Sequence, residues 1–577
     1  MADPLHTIAE PLRLAFAQVT GLEPSTIDPV VRPSDRADAQ VNGALALGKQ
    51  VGRPPREIAE AVVASGVLDR FCSSAEVAGP GFVNLVLRPE FLAGQVVLAA
   101  NDSRLGVRAA APERVVVDYS APNVAKEMHV GHLRSTIIGD SITRLLGFVG
   151  HDVVRENHIG DWGTPFGMLI EHLIDLGADA DAVVDSDDPN AFYQAARARF
   201  DADDDFKERA RQRVVLLQGG DEVTISLWRQ LVANSVRYFN KVYRQLGVLL
   251  DDGDLMGESA YHDLLPGVLE RLGAAGLLQQ SDGADVVFPP GFTNRDGDPL
   301  PLIVQKGGGG FNYATSDLAC VIDRLERVGA TLLVYVVGAP QAQHLEMVFS
   351  VAGMAGWLQP PARAVHVPFG SVLGSDRKMF RTRSGENVRL QALIDEGVQR
   401  ASEAVRSKSP DMPADEQQRV SRMVGIGAIK YADLSNDRVK DYVFDWDRML
   451  AFDGNTAPYL QYAHARICSI FRRVEVERAS VRAVEPSLVE PQERALALAL
   501  LQFDAAVTDA VDKFAPHRLC TYLFDLAQAF TSFYDACPVL RAPDETTRRS
   551  RLALCDLTAR VLEQGLGLLG IDAPERM

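Results

Sequence analysis

One stretch of the chain constrains its fold more than any other. Its first part is an apolar run that predicts a buried strand of a parallel sheet. The predicted parts are, in chain order, a strand at 114–119, a turn at 120–123, a helix at 131–147 and a strand at 152–155. This order of elements begins a doubly wound α/β domain of the Rossmann type. Two further strands are predicted, at 332–337 and 365–369.

The segments on either side predict other architectures. Helical stretches and one alternating run at 81–87, which follows a Gly-Pro-Gly turn, predict an N-terminal α+β domain. Apolar residues at helical spacing over 496–511 and 519–533 predict a C-terminal all-α helix bundle. Acidic, Ala-rich residues 181–205 predict a surface insertion. We therefore expect a multidomain α/β protein with domains at 1–110, 111–389 and 390–577.

Composition narrows the class of protein without deciding its function. The six cysteines lie far apart and form no C-x-x-C pair, so they indicate neither a zinc site nor a disulfide framework. No apolar run reaches the roughly 18 residues of a membrane span, and the first ten residues do not read as a secretory signal. We expect a cytoplasmic protein. The net charge of −18 argues against nucleic acid, but a local basic face can still bind RNA.

Two histidines flank Gly131 at the start of the predicted helix. A helix N-terminus presents free N–H groups and a positive dipole, which suits phosphate. Gly131 would let a flat base approach the backbone, while His129 and His132 would donate hydrogen bonds to a triphosphate. Taken alone, an H-x-x-H pair also fits a surface pair or a metal-binding pair. We expect no metal, because no third ligand motif lies nearby.

The full stretch around these histidines is more specific than the pair. Residues 120–140, continued by 155–164, resemble the His-Ile-Gly-His signature of class I aminoacyl-tRNA synthetases in its arginine-specific form. The resemblance covers most of the chain from about residue 80. It implies an arginine–tRNA ligase that uses ATP, L-arginine and tRNA(Arg). It also implies that Mg²⁺ accompanies ATP, that tRNA is needed for the first step, and that His129 and His132 stabilise the reacting phosphates. We expect a monomer.

The second class I element is a Lys-Met-Ser-Lys loop, which is represented here by residues 376–385. Gly374 and Gly385 would allow this loop to close. Taken alone, the segment also fits a solvated basic loop. Arg381 stands where the family has its second lysine, and the resemblance implies that Lys126 substitutes for it. The ATP-binding residues implied in this loop are Lys378, Met379, Arg381 and Arg383.

The resemblance also implies an arginine pocket. A guanidinium is a planar fork that needs carboxylates of matching geometry. Glu258 and Asp317 would face it, and Asn123 would hold the α-amino or carboxylate end of the substrate. Tyr313 lies one helical turn before Asp317, so both can line one helix face. The full implied set is Ser120, Asn123, Glu258, Tyr313, Asp317 and Gln341.

Two regions are expected to bind tRNA. Tyr459 and Tyr462 share one face of a predicted helix, followed by Arg466, and aromatic and cationic side chains of this kind read unpaired bases. Ordinary helix packing explains the tyrosines equally well without the resemblance. This segment and the final Met577 also resemble the anticodon-binding domain of the family. Phe82 and Asn84 resemble positions that contact the tRNA elbow.

Two rival functions are compatible with parts of these patterns. A free-standing nucleotidyltransferase could use a similar histidine signature, but the long helical C-terminal region argues against it. A catalytically inactive tRNA-binding relative is the alternative from another class. The intact His129, Gly131, His132 and Lys378 argue against that alternative.

Overall fold

The computed structural model describes residues 3–177, 189–380 and 388–577. Part of the predicted insertion, and Arg381, Arg383 and Gly385, therefore lie outside the described residues. The described residues form two compact units. The first unit runs to Ala109 and also contains Ala451–Gly567 and Asp572–Met577; the second contains Ala110–Leu450 and Leu568–Ile571.

The N-terminal part of the first unit combines helices with an antiparallel sheet of order β1-β2-β4-β3. Its helices are α1 (Pro4–Thr20), α2 (Gly43–Val51), α3 (Pro55–Ala64) and α4 (Pro89–Asn101). Its strands are β1 (Val31–Arg32), β2 (Ala39–Val41), β3 (Cys72–Ala78) and β4 (Phe82–Leu87). The alternating run predicted at 81–87 forms β4. Its odd-numbered residues are buried, so Phe82 and Asn84 lie on the opposite, partly exposed face.

The second unit is built from alternating strands and helices. Its strands are β5 (Arg114–Asp118), β6 (Asp152–Glu156), β7 (Gln279–Ser281), β8 (Ala284–Val287), β9 (Leu302–Gln305), β10 (Leu332–Tyr335), β11 (Arg363–His366), β12 (Val372–Leu373) and β13 (Tyr442–Val443). Its helices are α5 (Val130–Phe148), α6 (Thr164–Leu176), α7 (Pro189–Ala202), α8 (Asp204–Gln218), α9 (Glu222–Leu246), α10 (Leu265–Ala274), α11 (Tyr313–Glu326), α12 (Ala342–Met354), α13 (Leu390–Lys408), α14 (Ala414–Leu434) and α15 (Trp446–Met449). Short 3₁₀ turns at Glu258–Leu264 and Ala339–Gln341 carry predicted site residues.

A four-stranded parallel sheet of order β11-β10-β5-β6 forms the centre of this unit. Strand β5 is a central strand and reads as a continuous apolar run because it is buried on both faces. The predicted parallel α/β architecture is thereby confirmed. The strand predicted at 365–369 begins earlier, at Arg363, because the Arg363 amide donates a hydrogen bond to the Thr331 carbonyl at the entrance to β10.

A buried ion pair fixes α11 to the sheet. The guanidinium of Arg324 donates to Glu156 Oε2 at 2.6 Å and to Asp118 Oδ2 at 2.8 Å. The two carboxylates stand at the last residues of neighbouring strands, β6 and β5. All three side chains are at least nine-tenths buried, so the arginine must be paired to be tolerated there.

The C-terminal part of the first unit is helical, as predicted. Its helices are α16 (Ala457–Val474), α17 (Pro491–Leu501), α18 (Phe503–Asp512), α19 (Pro516–Ala536) and α20 (Glu545–Leu568). The helical pattern predicted over 496–511 is divided at Gln502 into α17 and α18. The reason is local: the Gln502 amide turns back onto the Ala499 carbonyl, so the helix tightens and breaks there.

The final residues form a tail that packs along α16. Gln461 donates to the Asp572 carbonyl at 2.7 Å, and His464 lies 3.0 Å from the Pro574 carbonyl through its Nδ1. Both side chains are almost fully buried. The tail therefore supplies partners that these two polar groups need. Nowhere in the described ranges is a helix long and apolar enough to cross a membrane.

Candidate active site

The turn that follows β5 is held in an unusual backbone conformation. Ser120, Ala121 and Ala125 have φ values of 74°, 48° and 59°, in the left-handed region that residues with a side chain rarely adopt. Each such residue costs on the order of 1–3 kcal/mol unless its surroundings hold it. The three amides donate to side chains of Ser135, Asn157 and Ser235, at 2.9, 3.1 and 2.9 Å respectively. The shape of this turn is therefore set by three separate elements of the second unit.

The two histidines cap the start of α5 reciprocally. His129 Nδ1 accepts the amide N–H of Gly131 at 3.0 Å, and His132 Nδ1 accepts the amide N–H of His129 at 3.1 Å. Both Nδ1 atoms act as acceptors, so in each ring Nε2 carries the proton and is the available donor. A Cβ at residue 131 would lie 2.8 Å from the His129 ring, so glycine is what lets the ring fold over the helix start.

The surroundings keep both imidazoles neutral. Burial lowers the pKa of His129, and the positive charge of Lys126 lowers it further. Burial, His129 and Lys126 together lower the pKa of His132 to about 3. The reciprocal cap agrees with this, because a protonated Nδ1 could not accept a hydrogen bond. No group of three or more His, Cys, Asp or Glu side chains within the described ranges is arranged to hold a metal ion.

A cavity of about 570 Å³ lies beside this turn. Four predicted site residues line it: Asn123, Lys126, Glu258 and Tyr313. The lining residues that were not predicted as site residues include Trp162, Tyr193, Gln218, His262 and Lys306. Of these, only Trp162 lies inside a motif that the sequence analysis quotes, so the others gave no local signal.

Asn123 is positioned by the second half of the signature. The Gly160 amide donates to the Pro122 carbonyl, and the Val124 amide donates to the Gly160 carbonyl, both at 3.1 Å. A Cβ at Gly160 would overlap the side-chain oxygen of Asn123. The 155–164 segment therefore matters because its glycine leaves room for this amide.

Lys126 lies at the cavity wall and contacts an aromatic ring. Its Nζ stands 4.6 Å from the ring centroid of Tyr193, a distance at which a cation is attracted to the face of the ring. Tyr193 belongs to α7, in the described part of the predicted insertion. The insertion therefore supplies a cavity residue.

Two carboxylates of the predicted arginine pocket influence each other. Burial raises the pKa of Glu258 to about 7; His158 opposes this shift, while the charges of Asp161 and Asp317 add to it. Asp317 lies one turn after Tyr313 on α11, and its neighbour Ser316 lines the cavity. A cationic ligand placed between the two carboxylates would relieve their repulsion and stabilise the ionised form of Glu258.

Two other predicted pocket residues lie in different surroundings. Ser120 is buried, and its hydroxyl bonds to Tyr243 at 2.7 Å and to Thr136 at 2.9 Å. Gln341 is exposed and ends the 3₁₀ turn that leads into α12. Neither belongs to the residues that line the cavity. Ser120 therefore supports the turn through a buried hydrogen-bond network.

The described part of the basic loop folds into a tight turn after β12. The Gly374 amide donates to the Lys378 carbonyl at 2.8 Å, and Met379 is half exposed. Arg381 and Arg383 lie outside the described residues. Just after residue 387, the Val388 carbonyl accepts a hydrogen bond from the Val130 amide at 3.1 Å. The chain beyond the loop therefore pairs with the backbone of the histidine signature.

The predicted tRNA-binding residues fall on the first unit. The Tyr459 hydroxyl lies 3.4 Å from Thr531 and its ring packs near Phe524, whereas Tyr462 is 41% exposed. Arg466 lies over the ring of Tyr534 at 4.1 Å. Met577 ends the tail that packs along α16. Tyr462 is therefore the tyrosine that presents a surface to solvent, and Tyr459 is mainly packed between α16 and α19.

Three family models match consecutive parts of the chain. The model of the catalytic domain of tRNA synthetases class I (R) matches residues 95–446. The DALR anticodon binding domain matches residues 460–577, and the arginyl tRNA synthetase N-terminal domain matches residues 6–87. Together with the parallel sheet and the capped histidine pair, these matches define a class I aminoacyl-tRNA synthetase.

Similar proteins narrow the class further. The chain is 54% identical to the arginine–tRNA ligase of Thermobifida fusca over 100% of both chains. It is 46% identical to that of Edwardsiella ictaluri over 98% of both. Among solved structures, the arginyl-tRNA synthetase of Plasmodium falciparum matches with a TM-score of 0.84 and 28% identity over 99% of both chains. That of Thermus thermophilus matches with a TM-score of 0.79 and 28% identity over 98% of this chain and 99% of that one. The chain belongs to the arginyl-tRNA synthetase family.

The reciprocal cap leads to a prediction that separates folding from catalysis. Glutamine at the third helical position is an ordinary capping-box residue, so His132→Gln should keep the start of α5 intact while displacing the Nε2–H donor. We expect its melting temperature to stay near that of the wild type, while kcat for adenylate formation falls by on the order of 10²–10³-fold. The loss should lie in kcat more than in KM, because the donor acts on the transition state.

His132→Ala is the matched comparison. It removes both the donor and the cap, so it should add a stability loss of about 1 kcal/mol to the same loss of kcat. Pre-steady-state adenylate formation and thermal unfolding measure the two effects. A normal kcat in His132→Gln would show that His132 serves only as a cap.

Proposed function

We propose that this arginine–tRNA ligase carries out both of its steps at the cavity beside the capped histidines. Its substrates are ATP, L-arginine and tRNA. The observation that carries the assignment of the site is the neutral histidine pair at the N-terminus of α5, with Lys126 beside it. Two imidazole donors, the positive end of the α5 dipole and a lysine form a preorganised site for a polyphosphate.

In the first step, a carboxylate oxygen of arginine attacks the α-phosphorus of ATP in line, and pyrophosphate leaves. The enzyme contributes positioning and charge stabilisation. His129 and His132 donate from Nε2 to phosphate oxygens, and Lys126 and Lys378 neutralise charge. Mg²⁺ would accompany ATP as part of the substrate complex, without a site built by the protein. Met379, Arg381 and Arg383 complete the ATP site together with Gly131.

In the second step, the terminal ribose hydroxyl of the tRNA attacks the carbonyl carbon of arginyl-adenylate. The ester forms as the bond to AMP breaks. The cavity volume of about 570 Å³ lies within the range of about 300–1,000 Å³ that is usual for small-ligand sites. Asn123 holds the α-amino or carboxylate end of the arginine.

The guanidinium is held by carboxylates on two elements. Glu258 starts a 3₁₀ turn and Asp317 lies on α11, so the planar fork can be gripped from two sides. The pKa of Glu258, near 7 in the free protein, falls when the guanidinium binds. Tyr313 and Gln341 complete the pocket at its edge, and Ser120 supports the turn that carries Asn123.

The remaining parts of the chain recognise tRNA(Arg). Phe82 and Asn84 in domain 1–110 contact the elbow, and Tyr459, Tyr462, Arg466 and Met577 in domain 390–577 contact the anticodon region. Domain 111–389 holds the chemistry. The enzyme acts in the cytoplasm as a monomer, and the tRNA is needed for adenylate formation.

ATP–pyrophosphate exchange tests the proposal directly. We expect exchange with L-arginine only when tRNA(Arg) is present, because the signature is of the arginine-specific form. Each of the other amino acids, with and without tRNA, provides the comparison. Robust exchange with lysine or glutamate and none with arginine would contradict the assignment, and no exchange with any amino acid would favour the inactive tRNA-binding alternative.

Lys126 should carry the charge that the loop lacks. Arginine is a poor replacement where a compact point charge must follow a phosphate, so Arg381 cannot supply what a lysine would. We expect Lys126→Ala to slow adenylate formation by on the order of 10²-fold or more, a loss comparable to removing one preorganised donor. Single-turnover rates measure this effect.

Variants at Arg381 provide the matched control. Arg381→Ala should be clearly less damaging than Lys126→Ala, and Arg381→Lys should partly rescue Lys126→Ala. Tyr193→Leu adds a further comparison, because it removes the ring under Lys126 and leaves the ammonium in place. If Arg381→Ala slows the reaction more than Lys126→Ala, the loop's own arginine supplies the charge.

The exposed tyrosine of α16 should bind tRNA more strongly than its packed neighbour. We expect Tyr462→Ala to raise the KM for tRNA by the equivalent of roughly 1–3 kcal/mol, the contribution of one stacked base, with little change in melting temperature. Tyr459→Ala should raise this KM and also lower the melting temperature, because its ring packs against α19. Removal of Met577 should raise the KM for tRNA. Unchanged tRNA affinity in Tyr462→Ala would favour the helix-packing interpretation.

A further inference from the structure

A histidine that the proposed mechanism does not use contacts one of the guanidinium carboxylates. His344 Nε2 lies 2.5 Å from Asp317 Oδ2. The two side chains come from different helices, α12 and α11, and are 31% and 24% exposed. The contact is therefore a short hydrogen bond at the edge of the site, between a group with no assigned role and a proposed ligand of the substrate.

We infer that His344 is a positioning residue for arginine recognition: it holds the Asp317 carboxylate in place and, when protonated, competes with the substrate for that carboxylate. The inference rests on the proposed role of Asp317. A neutral His344 donates from Nε2 and leaves the carboxylate its full charge for the guanidinium. An imidazolium forms an ion pair with the same oxygen, so the pair is neutral and attracts a second cation less.

The groups around His344 single out Asp317 as its charged neighbour. The hydrogen bond that His344 donates to Asp317 raises the pKa of His344, burial opposes this shift, and the negative charge of Asp317 adds to the rise. The elements packed against α12 include α11, β11, the turn Ala339–Gln341 and β10, whose Tyr335 ring lies 5.1 Å from the ring of Phe349 on α12. The turn has no titratable side chain.

The other charged groups on these elements have their own partners. On α11, Asp323 pairs with Arg327, Arg324 pairs with Asp118 and Glu156, and Glu326 pairs with Arg271. On β11, Arg363 pairs with Glu113, and His366 Nε2 faces the Val337 carbonyl. Tyr313 begins α11, and Glu346 is exposed on α12 itself. Protonation of His344 is therefore coupled chiefly to the charge on Asp317.

The coupling between His344 and Asp317 determines the direction in which arginine affinity changes with pH. The pKa of His344 is raised by a free Asp317 carboxylate, so a bound guanidinium, which shares that carboxylate, lowers it again. Arginine binding then releases a proton, and arginine affinity rises with pH until His344 is neutral in the free enzyme. Glu258 contributes a dependence of the same sign, because its carboxylate must also be ionised to hold a cation.

Two substitutions separate positioning from titration. His344→Gln keeps an N–H donor for Asp317 but cannot be protonated, whereas His344→Leu removes the donor. Arginine KM, ATP KM and kcat are measured by pyrophosphate exchange with tRNA(Arg) present, from about pH 6 to about pH 8.5, which spans the histidine range. We expect His344→Leu to raise arginine KM about ten-fold at high pH, the loss of one hydrogen bond to a charged group, with little change in ATP KM or kcat. The increase over the wild type should be smaller at low pH, where protonated His344 already weakens arginine binding in the wild type.

His344→Gln should keep arginine KM within about three-fold of the wild type at high pH and show a shallower rise in KM as pH falls, the remaining slope being that of Glu258. The melting temperature of His344→Gln is the control for folding. This variant also allows the pH test to be made if His344→Leu is unstable. A pH dependence identical to the wild type would overturn the competition, and an unchanged arginine KM in a folded His344→Leu would overturn the positioning role.

A double-mutant cycle distinguishes failure of this inference from failure of the proposed pocket. If His344 acts through Asp317, His344→Leu should have no further effect on arginine KM in an Asp317→Ala background. An unchanged arginine KM in Asp317→Ala alone would remove Asp317 from the proposed guanidinium pocket. A raised KM in Asp317→Ala, with fully additive effects in the double variant, would retain the pocket and refute the role of His344.

Discussion

The buried pairing of Arg324 with Asp118 and Glu156 is the interaction on which the catalytic unit depends. It joins the ends of two parallel strands to α11, and the same helix carries Tyr313 and Asp317. A small displacement of α11 would therefore move the proposed guanidinium pocket relative to the turn that carries Asn123 and the histidines. Removing one partner of such a pair usually costs about 3–5 kcal/mol, because a buried charge is left uncompensated. The position of the pocket and the stability of the sheet thus rest on one set of contacts.

The site combines rigid and adjustable parts. Three left-handed residues in the turn after β5 are held by hydrogen bonds from α5, the 155–164 segment and α9, and the histidine rings are fixed by the helix that they cap. The carboxylates are different, since the pKa of Glu258 is near 7 and that of His344 is raised. The phosphate side of the site is therefore set before substrate arrives, while the charge of the guanidinium side responds to it.

The sequence predicted the strands and helices that depend on patterns of neighbouring residues. Apolar runs located β5, β6 and β10 to within two residues, and helical spacing located α19, because these patterns follow from burial of neighbouring residues. The family was identified from contiguous motifs, and the similar proteins confirm it. Tyr193, His262 and Lys306 could not be predicted, because they reach the cavity from segments with no motif of their own. The exposed Gln341 and the buried Ser120 show the same limit, since a motif fixes a residue's place in the chain and the packing fixes where its side chain points.

The tail along α16 has a consequence for biosynthesis. Gln461 and His464 obtain their partners from Asp572 and Pro574, more than a hundred residues later in the chain. At translation rates of about 5–20 residues per second, α16 waits roughly 5–20 s before these carbonyls are made. Until then neither side chain can make the hydrogen bond to the tail that it makes in the folded protein. The first unit contains both the earliest-made residues and the last-made residues, so it cannot complete its native contacts until the whole chain has been synthesised.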